Sequence, residues 1–544
     1  MGALTLKSFP FELRGWDIEK FESIDPTDGF GTNTQVYISK QQIIQIEPNQ
    51  SKNLSNTWLT DKGRQFFDGI FTNRHEKHSI LKKETWKNNL RTLLKTLYIF
   101  EHCTSKNQIK HYFIIIFENL GIEVLSLLKI MEQRYSFLKI RRAENINVVN
   151  DLEFNFQINT ATNVNKLKFS TLCLLISINS RYEGYQLNIN LRQRYLKGNF
   201  KCFILGSFIN LTFPLTNIGT NLKILRNFAE GNNFVCQNFV TAKNPCLIFG
   251  NEMSKRNDAK SFLNILKTFQ FIHLLNQTWN GLNILNSSLF EVGLQSITKI
   301  LPLKKKDFDE YSLFYFLNLN AQIVPNLIKI TETKLLNYVN KTKTDKYLII
   351  NKLNITKLFL DQNSNNKNNK SFIKNLMKLN YDIDYIFIPN KMFYENKETY
   401  LNTEGFLKKT NKLITQRKTR ETWQLIRNLF KHLKNKYKSL IFKNNNILLF
   451  NIKKQTNFTS FLNFQHYAVK ELNSFILESA NKNQPFFVKQ NTFNFKQKST
   501  NLKITKSKYW LDDFFTGGKD EYSVNSLILA NCSKNLRTQS TNFF

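Results

Sequence analysis

At 544 residues the chain is long enough for two or three domains, or for one large α/β domain with additions, so a shortage of core excludes nothing. Its 77 Lys and Arg against 41 Asp and Glu leave a net charge of +36, which would suit a polyanion or an anionic membrane surface; the same chain is heavy in Lys, Asn, Ile and Phe, whose codons are rich in A and T, and codon bias accounts for the excess first. Six scattered cysteines, Cys103, Cys173, Cys202, Cys236, Cys246 and Cys532, contain no C-x-x-C pair, which disfavours a disulfide framework, a zinc ribbon and a self-contained iron–sulfur cluster, and no window holds the ~18 consecutive apolar residues of a membrane span.

Residues 33–48, NTQVYISKQQIIQIEP, alternate apolar and polar positions around SKQQ and read as a β-hairpin closed by Pro48. From residue 84 the period becomes helical, with Trp86, Leu90, Leu93, Leu94 and Leu97 on one stripe. Short continuous apolar runs then recur at 111–117, 170–178, 201–206, 244–250, 311–319, 346–351 and 384–389. Such runs suit strands buried on both faces, and the intervals hold crossover helices, so the expected core is a largely parallel sheet. The clearest unit is NPCLIFG followed by a helix that Asn257 or Asp258 would cap, with Phe262, Leu263, Ile265, Leu266 and Phe269 on its apolar face. Residues 361–370 and the basic stretch around 415 read as loops, and beyond about 435 the pattern loses its period.

Catalytic motifs are missing from the sequence. No G-x-G-x-x-G follows a strand, and TGGKDE at 516–521 lacks the spacing of a phosphate-binding loop. His75 and His78 in RHEKH have no third ligand beside them and read as a solvated turn. His102 and Cys103 are adjacent, so they do not face each other on a helix. The basic clusters lack the interleaved aromatics of a single-strand binder.

The first residues carry a resemblance. Gly2, Ala3, Leu4, Thr5, Lys7, Trp16, Glu22, Ser23, Ile24, Asp25, Gly31 and Asn33, then Trp58, Asp61, Lys62, Arg64, Asp68 and Gly69, resemble the large iron–sulfur subunit of respiratory NADH:ubiquinone oxidoreductase, complex I, just past its iron–sulfur region. The similarity continues in order through Asn179, Arg181, Glu183, Asn188 and Arg192, with Ser180 in place of a proline, through 217–231, 243–259 and 279–285, and through Asn402-Thr403-Glu404-Gly405 to the Ser-rich end.

What the resemblance implies is an α/β chain of molybdopterin oxidoreductase-like fold, with parallel-sheet Rossmann-like subdomains after a small β unit. The expected domains are that unit at 1–75, the α/β domain at 76–434 and a C-terminal extension at 435–544. The chain would be the second half of the subunit as a separate polypeptide: a scaffold in the peripheral arm, supporting electron transfer from NADH to ubiquinone. Its partners would be the iron–sulfur half and other peripheral-arm subunits, not nucleic acid. It would lie on the matrix side of the mitochondrial inner membrane, peripheral to it, and be organelle-encoded. No catalytic residue, metal ligand or cofactor is expected on this chain, the clusters being placed on the partner. The expected interface is Gly2, Ala3, Leu4, Thr5, Trp16, Glu22, Ser23, Asp25, Gly31 and Asn33. The bland reading of the same residues gives Trp16, Gly31 and Gly405 to turns and packing, and Asp25 and Glu404 to backbone hydrogen bonds. Where the family has Arg and Gln after Asn-x-Glu-Gly, this chain has Phe406, Lys408 and Lys409, which weighs against a pterin site. An active molybdopterin-dependent oxidoreductase and a basic nucleic-acid-binding protein are the alternatives.

Overall fold

The computed structural model describes residues 13–49, 58–71, 113–143, 166–319, 346–352, 383–414, 421–429 and 523–541, a few positions within them excepted. Runs such as FIIIF and LCLLI have no solvated face to offer, and strands that need cover on both sides form parallel sheets beneath crossover helices. Two such sheets make up the body. The first contains β4 (Phe113–Phe117), β5 (Leu138–Arg142), β13 (Leu313–Leu317), β14 (Lys346–Lys352) and β15 (Ile383–Pro389). Its spatial order, β15-β14-β13-β4-β5, is parallel throughout. The second contains β6 (Leu172–Ile176), β7 (Lys201–Leu205), β8 (Thr216–Gly219), β9 (Pro245–Gly250) and β12 (Leu282–Leu285), a two-residue ribbon of β10 (Leu275–Asn276) and β11 (Trp279–Asn280) intervening in sequence. Its order is β12-β9-β6-β7-β8, again all parallel. Counted along the chain these are the 2-1-3-4-5 and 3-2-1-4-5 orders of doubly wound sheets. The second sheet is inserted between the second and third strands of the first.

Helices supply the cover. Ile122–Arg134 carries the chain from β4 to β5 and buries Ile122, Val124, Leu125, Leu127, Leu128 and Met131 against Phe113, Ile115, Leu313 and Tyr315. Tyr185–Leu196 links β6 to β7, and Ala259–Phe269 links β9 towards β12, with Phe262 and Leu266 fully buried.

The third body is the antiparallel sheet of β1 (Glu19–Ile24), β2 (Asn33–Ser39) and β3 (Gln42–Pro48). Lys40 and Gln41, both at positive φ, make the tight turn between β2 and β3. Its apolar face, Ile24, Val36, Ile38, Ile43 and Ile46, shares one cluster with Phe66, Phe67, Leu289, Phe290, Phe393, Tyr394, Tyr400 and Leu529. Leu529 belongs to the helix Leu527–Thr541, whose start is tied to the small unit by the amide of Ile528 donating to Asp68 at 3.2 Å. Far ends of the chain therefore close one core.

All seven apolar runs are strands, and the hairpin at 33–48 is β2 and β3. Within these three sheets four strands escape the sequence reading. β1 is half charged, and β5, β8 and β12 are short or interrupted by polar residues. The helix after β9 begins at Ala259, behind a 3-10 turn, Asn251–Lys255. Asp258 stands immediately before that helix, its carbonyl accepting from the Phe262 amide at 3.1 Å and its carboxylate paired with Arg256 at 2.8 Å, and Asn257 lies outside the described residues. So do the predicted helix from 84, the loop at 361–370, residues 415–420, His75, His78, His102, Cys103, TGGKDE and most of the chain beyond 435.

Candidate functional site at the carboxyl ends of the two sheets

Doubly wound sheets bind ligands beyond the carboxyl ends of their strands, where the strand order reverses, and seat anionic groups on the helix amino terminus that begins there. This chain has two such points, between β4 and β13 and between β6 and β9.

At the first, Asn318, itself at positive φ after β13, donates its side-chain amide to the carbonyl of Asn119 after β4 and ties the two strand ends together. The helix Ile122–Arg134 opens at Gly121, whose amide donates to the Glu398 carboxylate. A Cβ on Gly121 would lie 2.8 Å from that carboxylate and 2.9 Å from the Glu398 Cβ. Glu123 in the first turn accepts from the Thr399 amide at 3.0 Å and its hydroxyl at 2.6 Å. The helix amino terminus is thus occupied by the strand β16 (Thr399–Leu401) and the residue before it. Burial pushes the Glu398 carboxyl up to about 7; the Tyr400 hydroxyl bonded to it opposes that rise, and the neighbouring Glu123 and Glu421 add to it.

At the second, Asn179 caps the short helix Ser180–Glu183 by accepting from the Arg181 amide at 3.0 Å, while Glu183 accepts from the Asn179 amide at 3.3 Å. The helix Tyr185–Leu196 opens at Gly184, where a Cβ would meet Leu285 at 2.9 Å and Phe30 at 3.4 Å. Phe30 is the stopper: it lies 2 % exposed in a cluster with Ile178, Leu187 and Leu285.

Phe30 is delivered by the β1–β2 connection, DPTDGFGT at 25–32. Asp25 accepts from the Thr27 amide and hydroxyl at 2.8 and 2.7 Å, and Asp28 from the Phe30 amide at 3.2 Å and the Thr32 hydroxyl at 2.7 Å. Gly31 turns the chain at φ +56. The Thr32 hydroxyl oxygen also accepts from the Tyr185 hydroxyl at 2.6 Å and from Gln186 at 3.2 Å, which locks the loop to the helix it covers.

The two closures meet. The carbonyl of Gly29 accepts from both the amide and the hydroxyl of Thr403, at 2.9 and 2.6 Å, and that of Phe30 from the Asn402 side chain at 3.0 Å. A Cβ on Gly29 would lie 2.2 Å from the carbonyl oxygen of Asn286, so only glycine allows this approach. Asn402 and Thr403 begin the turn from β16 into β17 (Leu407–Lys409), which Gly405 completes at φ +86. Burial raises the Asp28 carboxyl to about 7, with Asp25 and Glu404 adding to it. Burial also lowers the Lys408 ammonium, against the pull of Glu404 and Asp28, and Lys408 donates to Asn33 at 3.0 Å. These groups bond to one another across three bodies of the fold, an arrangement that fixes positions and presents no reactive pair.

The residues singled out from sequence divide sharply. Gly2, Ala3, Leu4 and Thr5 lie outside the described residues. Trp16 is 77 % exposed on the turn Gly15–Asp17, with the Arg14 guanidinium 5.4 Å from its ring centroid. Glu22 is exposed and accepts from Asn49 at 3.2 Å. Ser23, Asp25 and Gly31 are buried, and Asn33 is half-buried opposite Ile24. Phe30, Thr32, Tyr185, Gln186, Glu123 and Glu398 were missed, although the first four sit in stretches that the resemblance marked. The cysteines are less scattered in space than in sequence: Cys173 lies opposite both Cys202 and Cys246 on adjacent strands. Hydrogen bonds with those two thiols that favour the protonated form, together with burial, hold the Cys173 thiol well above its ordinary pKa. Cys103 is outside the described residues.

Two family models match the chain. Residues 105–432 match the one described as molybdopterin oxidoreductase, and residues 18–68 match that of the NADH-ubiquinone oxidoreductase NDSU1/NuoG-like 4Fe-4S domain. Similar proteins include the NADH-ubiquinone oxidoreductase 75 kDa subunit of Reclinomonas americana, 30% identical over 305 residues, 54% of this chain and 44% of that one. An NADH-quinone oxidoreductase subunit of Rickettsia typhi is 26% identical over 335 residues, 59% and 47% of the two chains. The mitochondrial 78 kDa subunit of the Neurospora crassa enzyme is 24% identical over 319 residues, 56% and 41%. The chain thus spans less than half the length of each of these relatives.

The 4Fe-4S match corrects the expectation that no cofactor belongs to this chain: it points to an iron–sulfur cofactor in the domain of which 18–68 are part. Those residues nevertheless contain neither cysteine nor histidine, and among the described residues no three His, Cys, Asp or Glu side chains converge as a metal site would require. The described side chains do not fit a cluster. A pterin cofactor with its phosphate groups fits no better, because the helix amino termini at both switch points are already filled by Glu398, Glu123, the Asn179–Glu183 pair and Phe30.

Proposed function

Since the chain belongs to the molybdopterin oxidoreductase family, we propose that it works as the scaffold portion of the large iron–sulfur subunit of NADH:ubiquinone oxidoreductase, supporting electron transfer in the peripheral arm. The observation that carries this reading is the double closure: both places where the fold would seat a ligand are filled by its own side chains, joined at Gly29 and Thr403. Among the described residues, clefts closed in this way leave surfaces, and not a pocket, to offer a partner.

The partners in this proposal are other peripheral-arm subunits and a separate polypeptide carrying more of the iron–sulfur region, with 18–68 forming one wall of the cofactor's domain. Gly2 to Asn33 would face that polypeptide, Trp16 and Glu22 being the two of the described interface candidates that are exposed. The chain divides into 1–75, 76–434 and 435–544 in this reading. Its location would be the matrix side of the mitochondrial inner membrane, as an organelle-encoded product; among the described residues no helix is long and apolar enough to cross a membrane. The test is native electrophoresis of mild-detergent extracts from the source organism, with NADH-dehydrogenase staining and peptide sequencing of the stained band. The chain's peptides should run in that band in stoichiometric amount. Their absence from it, or stoichiometric molybdenum or tungsten on the isolated chain, would remove the proposal.

A further inference from the structure

The end of the second sheet away from the closures has a different character. Phe169, Leu196 and Val240 are 67 %, 72 % and 59 % exposed there, each just before β6, β7 or β9. Their supports are continuous: Arg194 donates to the carbonyl of Ser170 at 2.7 Å and of Gly198 at 2.6 Å, Asn244 to that of Phe169 at 3.2 Å, and Lys201 to the side chain of Asn238 at 3.0 Å. Arg192, Lys197, Lys201 and Lys243 are exposed around them and Lys168 is half-exposed. Through 166–251 the acidic residues are Glu183 and Glu230. Glu183 stands at the opposite, carboxyl end of β6, and Glu230 is paired with Arg226 at 2.8 Å. Cations and exposed apolar side chains therefore share a surface to which this segment contributes no unpaired carboxylate.

We infer that this basic, apolar end of the second sheet is the docking surface for an acidic protein segment, its carboxylates meeting Lys197, Lys201 and Lys243 and its apolar side chains covering Phe169, Leu196 and Val240. Apolar contacts framed by complementary charge are how protein interfaces are built. A bilayer is met by the broad apolar face of one amphipathic helix, whereas these three side chains come from the ends of three elements. A nucleic-acid strand needs a series of stacking rings, and this surface offers one.

The inference rests on the reading of the chain as a subunit of an assembly. It is tested by zero-length carbodiimide coupling of the native particle in which the chain sediments, with mass spectrometry of the joined peptides and lysine acylation of particle and isolated chain in parallel. The expected result is an isopeptide bond from Lys197, Lys201 or Lys243 to Asp or Glu of another chain, with those lysines protected in the particle. A folded Lys197→Glu/Lys243→Glu variant should lose about tenfold or more in affinity for the chain so joined. Equal acylation of the three lysines in particle and isolated chain, or protection lifted by stripping lipid with detergent and restored by phosphatidylglycerol vesicles, overturns it. If the coupled particle does not oxidise NADH, the functional reading fails while the docking surface stands.

Discussion

The two parallel sheets pose the same problem and solve it with different chemistry. Each reverses its strand order beside the start of a long helix, and each has that opening filled from elsewhere in the chain. The first is closed by charge, with Glu398 on the amide of Gly121 and Glu123 holding Thr399. The second is closed by shape, with Phe30 inserted among Ile178, Leu187 and Leu285. A carboxylate on helix amides mimics the anion that such a position attracts and makes the closure sensitive to protons. An aromatic plug carries no charge of its own and is sensitive to volume, so what pH dependence this side has comes from Asp28 in the loop that delivers Phe30. The difference predicts which perturbation each side will feel.

The largest effect should fall on the shape-closed side. Phe30→Ala removes a fully packed ring and should cost about 3–5 kcal/mol in denaturant unfolding. Gly29→Ala should be comparably severe, because its Cβ would press on the backbone of Asn286, while Gly250→Ala, whose Cβ meets no atom nearer than 3.4 Å, should be far milder. Equal costs for the two glycine variants would mean that Gly29 is not pinned between the closures.

The charge-closed side should answer to pH. Glu398 has its folded pKa raised to about 7 from 4.5, so the native state holds the proton more tightly than the unfolded chain. The stability this group contributes is complete below about pH 4.5 and is lost as pH rises through about 7, at up to about 1.4 kcal/mol per pH unit. Glu398→Gln keeps a neutral acceptor for Gly121 and Tyr400. It should therefore leave stability little changed at pH 4, raise it at pH 8 and flatten the slope between. Asp28, raised to about 7 from 3.8, gives the same sign, so the slope in the variant should shrink without vanishing. Thermal unfolding across pH 4–8 measures both.

Little of this contrast was legible in the chain. The seven continuous apolar runs announced the parallel strands because double-sided burial leaves no polar alternation to confuse the period. β1 and β5 could not be read that way, since EKFESI and LKIRR alternate with charges. DPTDGFGT has the composition of an exposed turn, yet Asp25 and Asp28 are 0 % and 3 % exposed. Its burial depends on Tyr185, Gln186, Asn286, Asn402 and Thr403, and sequence spacing cannot show that such distant positions converge. The resemblance marked Asn402 to Gly405 without saying what they do; their work is to hold the carbonyls of Gly29 and Phe30. The cysteine row was equally hidden, because it depends on register between strands separated by about thirty to seventy residues.

The link between the closures offers a smaller and more selective test. Thr403→Val removes one donor to Gly29 while the Thr403 amide keeps the other, so the cost should be about 0.5–1.5 kcal/mol. If the junction couples the two sides, Thr403→Val and Phe30→Ala should be non-additive, whereas Thr403→Val and a substitution in the distant Arg226–Glu230 pair should simply add.

The smallest stability effect is expected at Trp16, and its smallness carries the meaning. The turn that bears it has no buried residue, so Trp16→Ala should change the unfolding free energy of the isolated chain by no more than about 0.5 kcal/mol. Every buried residue of 25–32 is costly to the fold itself, so losing a partner through those positions says nothing about an interface. Trp16 separates the two roles: an exposed indole that anchors a partner should cost about 2 kcal/mol or more in association when truncated. Reconstitution of the Trp16→Ala chain into the NADH-oxidising particle measures that cost directly. Normal incorporation alongside unchanged stability would take Trp16 out of the interface and move the search to the other exposed faces of the chain.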